Sequence, residues 1–294
     1  MMTSSRLVVA LALSALAVAA GCGPQRTSAP VADAAAAATI REGLVAASSA
    51  PSVAGEDVVA GSGWASLKGR FVFAGDPGQP AALMIDKDTE VCGKVAKLFD
   101  RSLRVDAATK GLADVVVFVR KSSRVKNPVS ETPLVFDQKN CEFLSPVFVA
   151  RVGQPLDIRN SDPVGHNTNI DGTSFNQLIP AGQGTTYKPD TEMGVPKAVT
   201  CNIHPWMKAY MILRKDGYVA VSATDGTFEI ADLPAGEPLE FQVWHARSTG
   251  PSGAVGLQRP DLNWTPKGRF QVTLQADESK DLGTLEVPAG AIGT

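Results

Sequence analysis

The sequence predicts an all-β chain. Gly and Pro are abundant, with 27 and 20 among 294 residues. Short Val-rich runs recur between them, the texture of strands and turns. After residue 62 no long helical periodicity appears. Many short strands with turn residues between them close as sandwiches or barrels.

The elements follow in chain order. Residues 66–73 alternate and break at Ala74-Gly75-Asp76-Pro77-Gly78, a strand and then a turn. Leu112 to Val119 is Val-rich and reads as a buried strand. Pro146 to Val152 and Pro155 to Ile158 are two strands split by Gly153-Gln154. Ala198 to Cys201 and Ala209 to Leu213 flank a loop at Asn202–Lys208. Tyr218 to Ser222, Gly226 to Ile230, Leu239 to Trp244, Phe270 to Leu274 and Leu282 to Val287 complete the set.

A length of 294 residues suggests about two domains. A hydrophobic fraction of 44% is ample for packed cores, although aromatics are only 6%. The formal charge of −2 argues against nucleic acid and against an anionic membrane surface as partners.

Residues 1–22 lie outside the fold. Arg6 precedes an apolar stretch from Leu7 to Ala20, which suits a signal peptide and is short for a bilayer span. It ends Ala19-Ala20-Gly21-Cys22, which resembles a bacterial lipobox, with Ala19 where Leu is commoner. The resemblance implies that Cys22 is acylated and becomes the mature N-terminus; the alternative is cleavage near Ala20 and plain secretion. Either places the mature chain outside the cytoplasm, on the periplasmic or cell-surface side. Residues 23–62 are rich in Ala, Ser, Val and Pro and lack aromatics, so they bury too little to offset ordering entropy. They read as a tether, of roughly 35 Å reach as a coil.

Of the four cysteines, Cys22 belongs to the anchor and Cys201 to the motif below. Cys92 and Cys141 remain. In an oxidising compartment two spare cysteines pair, so a Cys92–Cys141 disulfide is expected, against two buried thiols.

The chemistry sits in Thr200-Cys201-Asn202-Ile203-His204-Pro205-Trp206-Met207, a Cys-x2-His-x2-Met spacing on one turn between two strands. A second imidazole, His166, lies upstream in Asn160-Ser161-Asp162-Pro163-Val164-Gly165-His166-Asn167. Two His, one Cys and a weak axial Met form the ligand set of blue copper sites. Zinc would favour a fourth N, S or O ligand. A binuclear copper site would want a second Cys in the loop, and a Cys–His nucleophile pair needs neither the Met nor the second His. The chain holds three histidines, too few for multicopper oxidase chemistry, so electron transfer is expected rather than catalysis.

Residues 130–215 resemble the cupredoxins, the small blue copper proteins, through Pro146, Val149, Gly153, Asn160, Asp162, His166, Asn167, Cys201, His204, Pro205 and Met207. The ligand-loop spacing is nearest to amicyanin. The resemblance implies a Greek-key sandwich with one copper at one end. It makes His166 the upstream imidazole, Cys201 the thiolate, His204 the downstream imidazole and Met207 the axial ligand. Asn167 would brace the ligand loop from behind. His204 would be the solvent-facing edge of the metal, with Pro205 and Trp206 as an apolar collar for a redox protein partner; the alternative is that Trp206 packs inward and braces the loop.

The flanks resemble a second fold. Asp216-Gly217, Asp225-Gly226-Thr227-Phe228 and Pro234-Ala235-Gly236 with their strands look like half of a carboxypeptidase-regulatory-like, transthyretin-type sandwich. Gly69 to Val72 and Gly111 to Phe118 look like its other half. The expected plan is a host sandwich from 63–124 and 216–290 with the cupredoxin at 125–215 inserted, or else a tandem arrangement. His245 is expected to be structural or solvated, and Met211, Trp244 and Trp264 to be core. Against an electron carrier stand two other functions: a binding or scaffolding lipoprotein with structural copper, and copper delivery.

Overall fold

A computed structural model describes residues 61–95 and 97–293. The leader, Cys22 and residues 23–60 of the tether lie outside the described residues. The described chain is all-β, as the sequence predicts, and its only helices are single 3-10 turns. Among these residues no helix is long and apolar enough to cross a membrane.

The strands fall into three stretches. The first holds β1 (Trp64–Ala74) and β2 (Val116–Val119). The second holds β3 (Leu134–Lys139), β4 (Glu142–Phe143), β5 (Val147–Arg151), β6 (Leu156–Asn160), β7 (His166–Ile170), β8 (Asn176–Ile179), β9 (Gly184–Tyr187), β10 (Lys197–Thr200) and β11 (Lys208–Arg214). The third holds β12 (Val219–Val221), β13 (Thr227–Pro234), β14 (Pro238–Trp244), β15 (Arg269–Thr273) and β16 (Ser279–Pro288). The middle stretch makes two sheets of its own, β5-β11-β10-β7-β8 and β4-β3-β6-β9. The outer stretches combine into the other two, β13-β1-β16 and β12-β2-β14-β15. The chain therefore leaves one sandwich after β2, builds the second, and returns at β12.

Strand β2 explains how the two sandwiches join. Its four residues, Val-Val-Phe-Val, are all buried. Side chains alternate across a strand. Val117 and Val119 enter the core of the outer sandwich, and Val116 and Phe118 enter the core of the inner one. A strand buried on both faces reads as a continuous apolar run. Trp244, at the end of β14, follows Val116 into the inner core and meets Tyr210 edge-on at 4.9 Å between ring centroids. Arg214, at the end of β11, donates to the Val119 carbonyl at 2.7 Å and lies over the Phe118 ring. Met211 and Trp264 are core residues, Trp264 stacking on Phe270.

His245 follows Trp244 and is fully buried. Its Nδ1 accepts the Arg247 N–H at 3.2 Å, and its Nε2 has no hydrogen-bond partner among the described residues. Burial pushes its pKa down from 6.5 to about 4. Between those values the unfolded chain takes up a proton that the folded chain refuses, so stability falls as pH drops through that window. The expected loss is about 3 kcal/mol. His245→Gln should flatten this part of the stability profile relative to the parent. Urea midpoints at neutral pH and near pH 4 check it; identical profiles for both chains would remove His245 from the account.

Candidate metal centre

The ligand loop is short because its flanking strands are held in register. Strands β10 and β11 pair antiparallel with Thr200 opposite Lys208. The loop closes on itself, the Met207 N–H bonding the His204 carbonyl at 2.9 Å and the Cys201 N–H reaching the Met207 carbonyl at 3.3 Å. On the other side of β10, strand β7 pairs Asn169 with Thr200 and so sets His166 beside Cys201.

His166 Nδ1, Cys201 Sγ and His204 Nδ1 converge. The two nitrogens are 2.9 Å apart, the sulfur is 3.7 Å from His204 Nδ1, and all three donors lie within 4.8 Å of one another. His166 and His204 are fully buried, Cys201 is 3% exposed and Met207, in the same loop, 1%. Cys141, Asp162 and His166 form a second close group, but the Cys141 sulfur is committed to a disulfide.

The sulfur is prepared as a thiolate. It accepts the backbone N–H of Asn167 at 3.2 Å and of His204 at 3.4 Å. Burial pushes its pKa up, but His166 and these N–H groups outweigh burial and bring it down to about 6. For His166 burial pulls the pKa down, and the Asp162 carboxylate and the Cys201 sulfur outweigh it, raising it to about 9. Both groups favour a charged, mutually paired state, so a metal cation entering here displaces a proton from His166. Asn167 also accepts the Asn202 N–H through its Oδ1 at 3.1 Å, tying β7 to the ligand loop.

Each imidazole is held from outside by a carboxylate. His166 Nε2 lies 2.7 Å from Asp162 Oδ2, and His204 Nε2 lies 2.8 Å from Asp88 Oδ2. An acceptor at Nε2 keeps a proton there, so Nδ1 is the nitrogen whose lone pair can meet an entering cation. The carboxylates therefore orient ligands and stand on the far side of the rings from the donors. Asp162 also accepts the N–H groups of Asn140 and Cys141, each at 2.7 Å.

The donor set fits copper. It offers one soft sulfur and two imidazoles, with a thioether in the loop and no carboxylate turned toward the point of convergence. The carboxylate oxygen that a zinc site could recruit is occupied at Nε2 in both cases.

The Cys92–Cys141 disulfide is present, with Cα atoms 5.6 Å apart. It joins the segment between β1 and β2 to the β3–β4 hairpin, beside the ligand loop. Here the expectation for the collar is corrected. Trp206 is half-buried, packs with Cys92, Cys141 and Leu98, and donates its indole N–H to the Cys141 carbonyl at 3.0 Å. Its apolar face is used by the disulfide cluster, and it braces the loop rather than forming a free collar. His204 is not a solvent-facing edge either, because Asp88 and its neighbours cover it. Pro205 is exposed, and so is Ile203. Asp88 is absent from the sequence reading; its one signal is that it lies four residues before Cys92, whose bridge leads to the ligand loop.

No family model matches the chain, and no curated protein does. Among solved structures, it is similar to a Cu-containing nitrite reductase from Thermus scotoductus SA-01, at 16% identity over 33% of this chain, with a TM-score of 0.26. It spans 25% of that reductase. It is also similar to a reduced Cu(I) form of an amicyanin mutant, at 15% identity over 33% of this chain and 98% of that one, with a TM-score of 0.26. An oxidised amicyanin mutant is matched over the same shares, at 15% identity and the same score. At these values the function rests on the geometry of the centre itself.

Truncating Trp206 removes packing from the disulfide cluster and a hydrogen bond to Cys141. Trp206→Ala should cost stability toward the lower end of about 3–5 kcal/mol, since the ring is half-buried. Denaturant unfolding measures this, and an unchanged midpoint would return Trp206 to the role of a free surface residue.

Proposed function

We propose that this chain is a mononuclear type 1 copper protein that carries single electrons outside the cytoplasm. The observation that supports it most is the inward convergence of His166 Nδ1, His204 Nδ1 and Cys201 Sγ, with both Nε2 atoms turned out to carboxylates. Met207 completes the set as the axial ligand. Copper bound there supplies a reversible one-electron couple.

The protein's own residues prepare for that couple. Backbone N–H groups of Asn167 and His204 hold the sulfur, two carboxylates hold the rings, and Asn167 ties the loop to β7. Ligands fixed from behind cannot relax far when the charge at the centre changes, and a small rearrangement makes exchange of an electron fast. The same enclosure supports retention of the metal over delivery to another protein, because every donor residue is almost completely buried. We read the chain as a carrier rather than an enzyme, anchored through an acylated Cys22 and served by a redox protein partner.

Addition of one Cu(II) per chain should give an intense thiolate-to-copper band in the visible spectrum. Cys201→Ala should abolish it, and Met207→Gln should keep the metal while lowering the reduction potential. An intense blue colour surviving in Cys201→Ala would refute the assignment.

Anchoring has its own test. Cys22→Ala should shift the protein from the membrane fraction to the soluble extracytoplasmic fraction, or leave the leader uncleaved. A cleaved variant still wholly with membranes would rule out acylation as the anchor, since stable attachment takes more than one acyl chain or a second signal.

A further inference from the structure

We infer that Asp88 is a positioning residue for His204, and that the disulfide-held segment bearing it seals the outer edge of this imidazole; the inference rests on the copper reading of the same site. His204 is fully buried although Ile203 and Pro205, on either side of it, are exposed. What covers it lies 116 residues away in sequence, in no strand of its own sandwich but in the connection between β1 and β2 of the other, where Asp88 Oδ2 meets His204 Nε2 at 2.8 Å.

Asp88 is itself pinned. Its carbonyl accepts the N–H of Val91 at 2.9 Å and of Cys92 at 2.8 Å, which starts the 3-10 turn Cys92–Lys94. Cys92 is bridged to Cys141, the Cys141 N–H bonds Asp162, and Asp162 holds His166. The result is a closed ring of contacts running His204, Asp88, Cys92, Cys141, Asp162, His166. Its one covalent link is the disulfide. Leu83, Ile85, Val91, Val95 and Trp206 pack around that link and exclude water from it.

Two consequences follow. First, a carboxylate on Nε2 fixes which nitrogen of His204 faces the centre, and its negative charge favours the more positive state of whatever that nitrogen holds. The Asp88 side chain is 44% exposed, so solvent weakens this effect without abolishing it. Second, a redox partner docking at this end meets Ile203, Pro205 and the covering segment, and not the imidazole edge.

The cover is tested on the metal-free protein with diethyl pyrocarbonate, mapping the modified residues by mass. The chain has three histidines, all fully buried, and His245, which lies outside the ring of contacts, serves as the internal control. In the unaltered protein His204 should react as slowly as His166 and His245. In Asp88→Ala combined with Cys92→Ser and Cys141→Ser, His204 should react about tenfold faster or more while His245 stays slow, whatever His166 does, as local opening of the segment exposes it. Rapid labelling of His204 in the unaltered protein, or no acceleration in the variant, overturns the cover. Should all three histidines accelerate, the variant has unfolded, and Asp88→Asn, which keeps the disulfide, decides. Loaded with copper, Asp88→Asn should show a raised reduction potential, while Asp86→Asn, a change at an exposed carboxylate two residues earlier, should leave it in place. Equal potentials for the two overturn the positioning role. Failure of the unaltered chain to form a coloured Cu(II) species would sink the copper reading alone, and the labelling would then stand or fall by itself.

Discussion

Asp162 accepts hydrogen bonds from three donors with two oxygens, and much of the centre is arranged around that. A carboxylate with 6% exposure needs such partners to stay ionised. It finds them in the backbone of Asn140 and Cys141 and in the ring of His166. Asn140 and Cys141 form the two-residue turn between β3 and β4, both at positive φ, 59° and 58°. That is the conformation of a type I′ hairpin, for which a Cys has no natural preference. The carboxylate compensates by capping both amides. One side chain thus holds a strained turn, the cysteine that anchors the disulfide, and the orientation of a candidate ligand.

The placement of the two sandwiches follows from a second constraint, the need to cover both faces of one sheet. Strand β2 carries no polar residue, so neither of its faces can meet water. The outer core covers one face. The other would be bare without Tyr210, Ile212 and their neighbours from β11. The inner sandwich therefore shares core residues with its host, and Arg214 satisfies the Val119 and Arg120 carbonyls as the chain leaves β2. Rigid seating of β11 matters for the site, since the ligand loop leads directly into that strand.

The legible parts were those with a local signature. The Cys-x2-His-x2-Met loop, the Val-rich run at β2 and the turn-bounded strands of the outer sandwich are all recognisable from composition and spacing alone. Strands β3, β4, β7, β8 and β9 escape. Strand β7 reads His-Asn-Thr-Asn-Ile, which has poor strand propensity; it is extended because β10 and β8 pair with it on both sides. Strands β8 and β9 lie at sheet edges with mostly exposed or half-exposed side chains, so they show no apolar alternation to find. Asp88 escaped for a different reason. Its contact with His204 spans a long sequence separation and depends on a disulfide whose pairing sequence alone left open.

The seal over His204 changes what the rest of the surface must do. An exposed imidazole edge would let a partner approach closely, at the cost of admitting water and competing ligands to the metal. Here the edge is closed by a carboxylate and an apolar cluster, and the side chains of Ile203 and Pro205 are left at the surface. A through-bond route still exists. Asn202 follows Cys201 in the chain and is exposed, and its N–H is bonded to Asn167, whose own N–H is bonded to the sulfur. The thiolate thus reaches an exposed loop residue through Asn167, as His204 reaches the partly exposed Asp88 carboxylate through Nε2. On the proposed copper reading, a centre whose donors are buried and joined to the surface through hydrogen bonds keeps its metal enclosed and still exchanges charge.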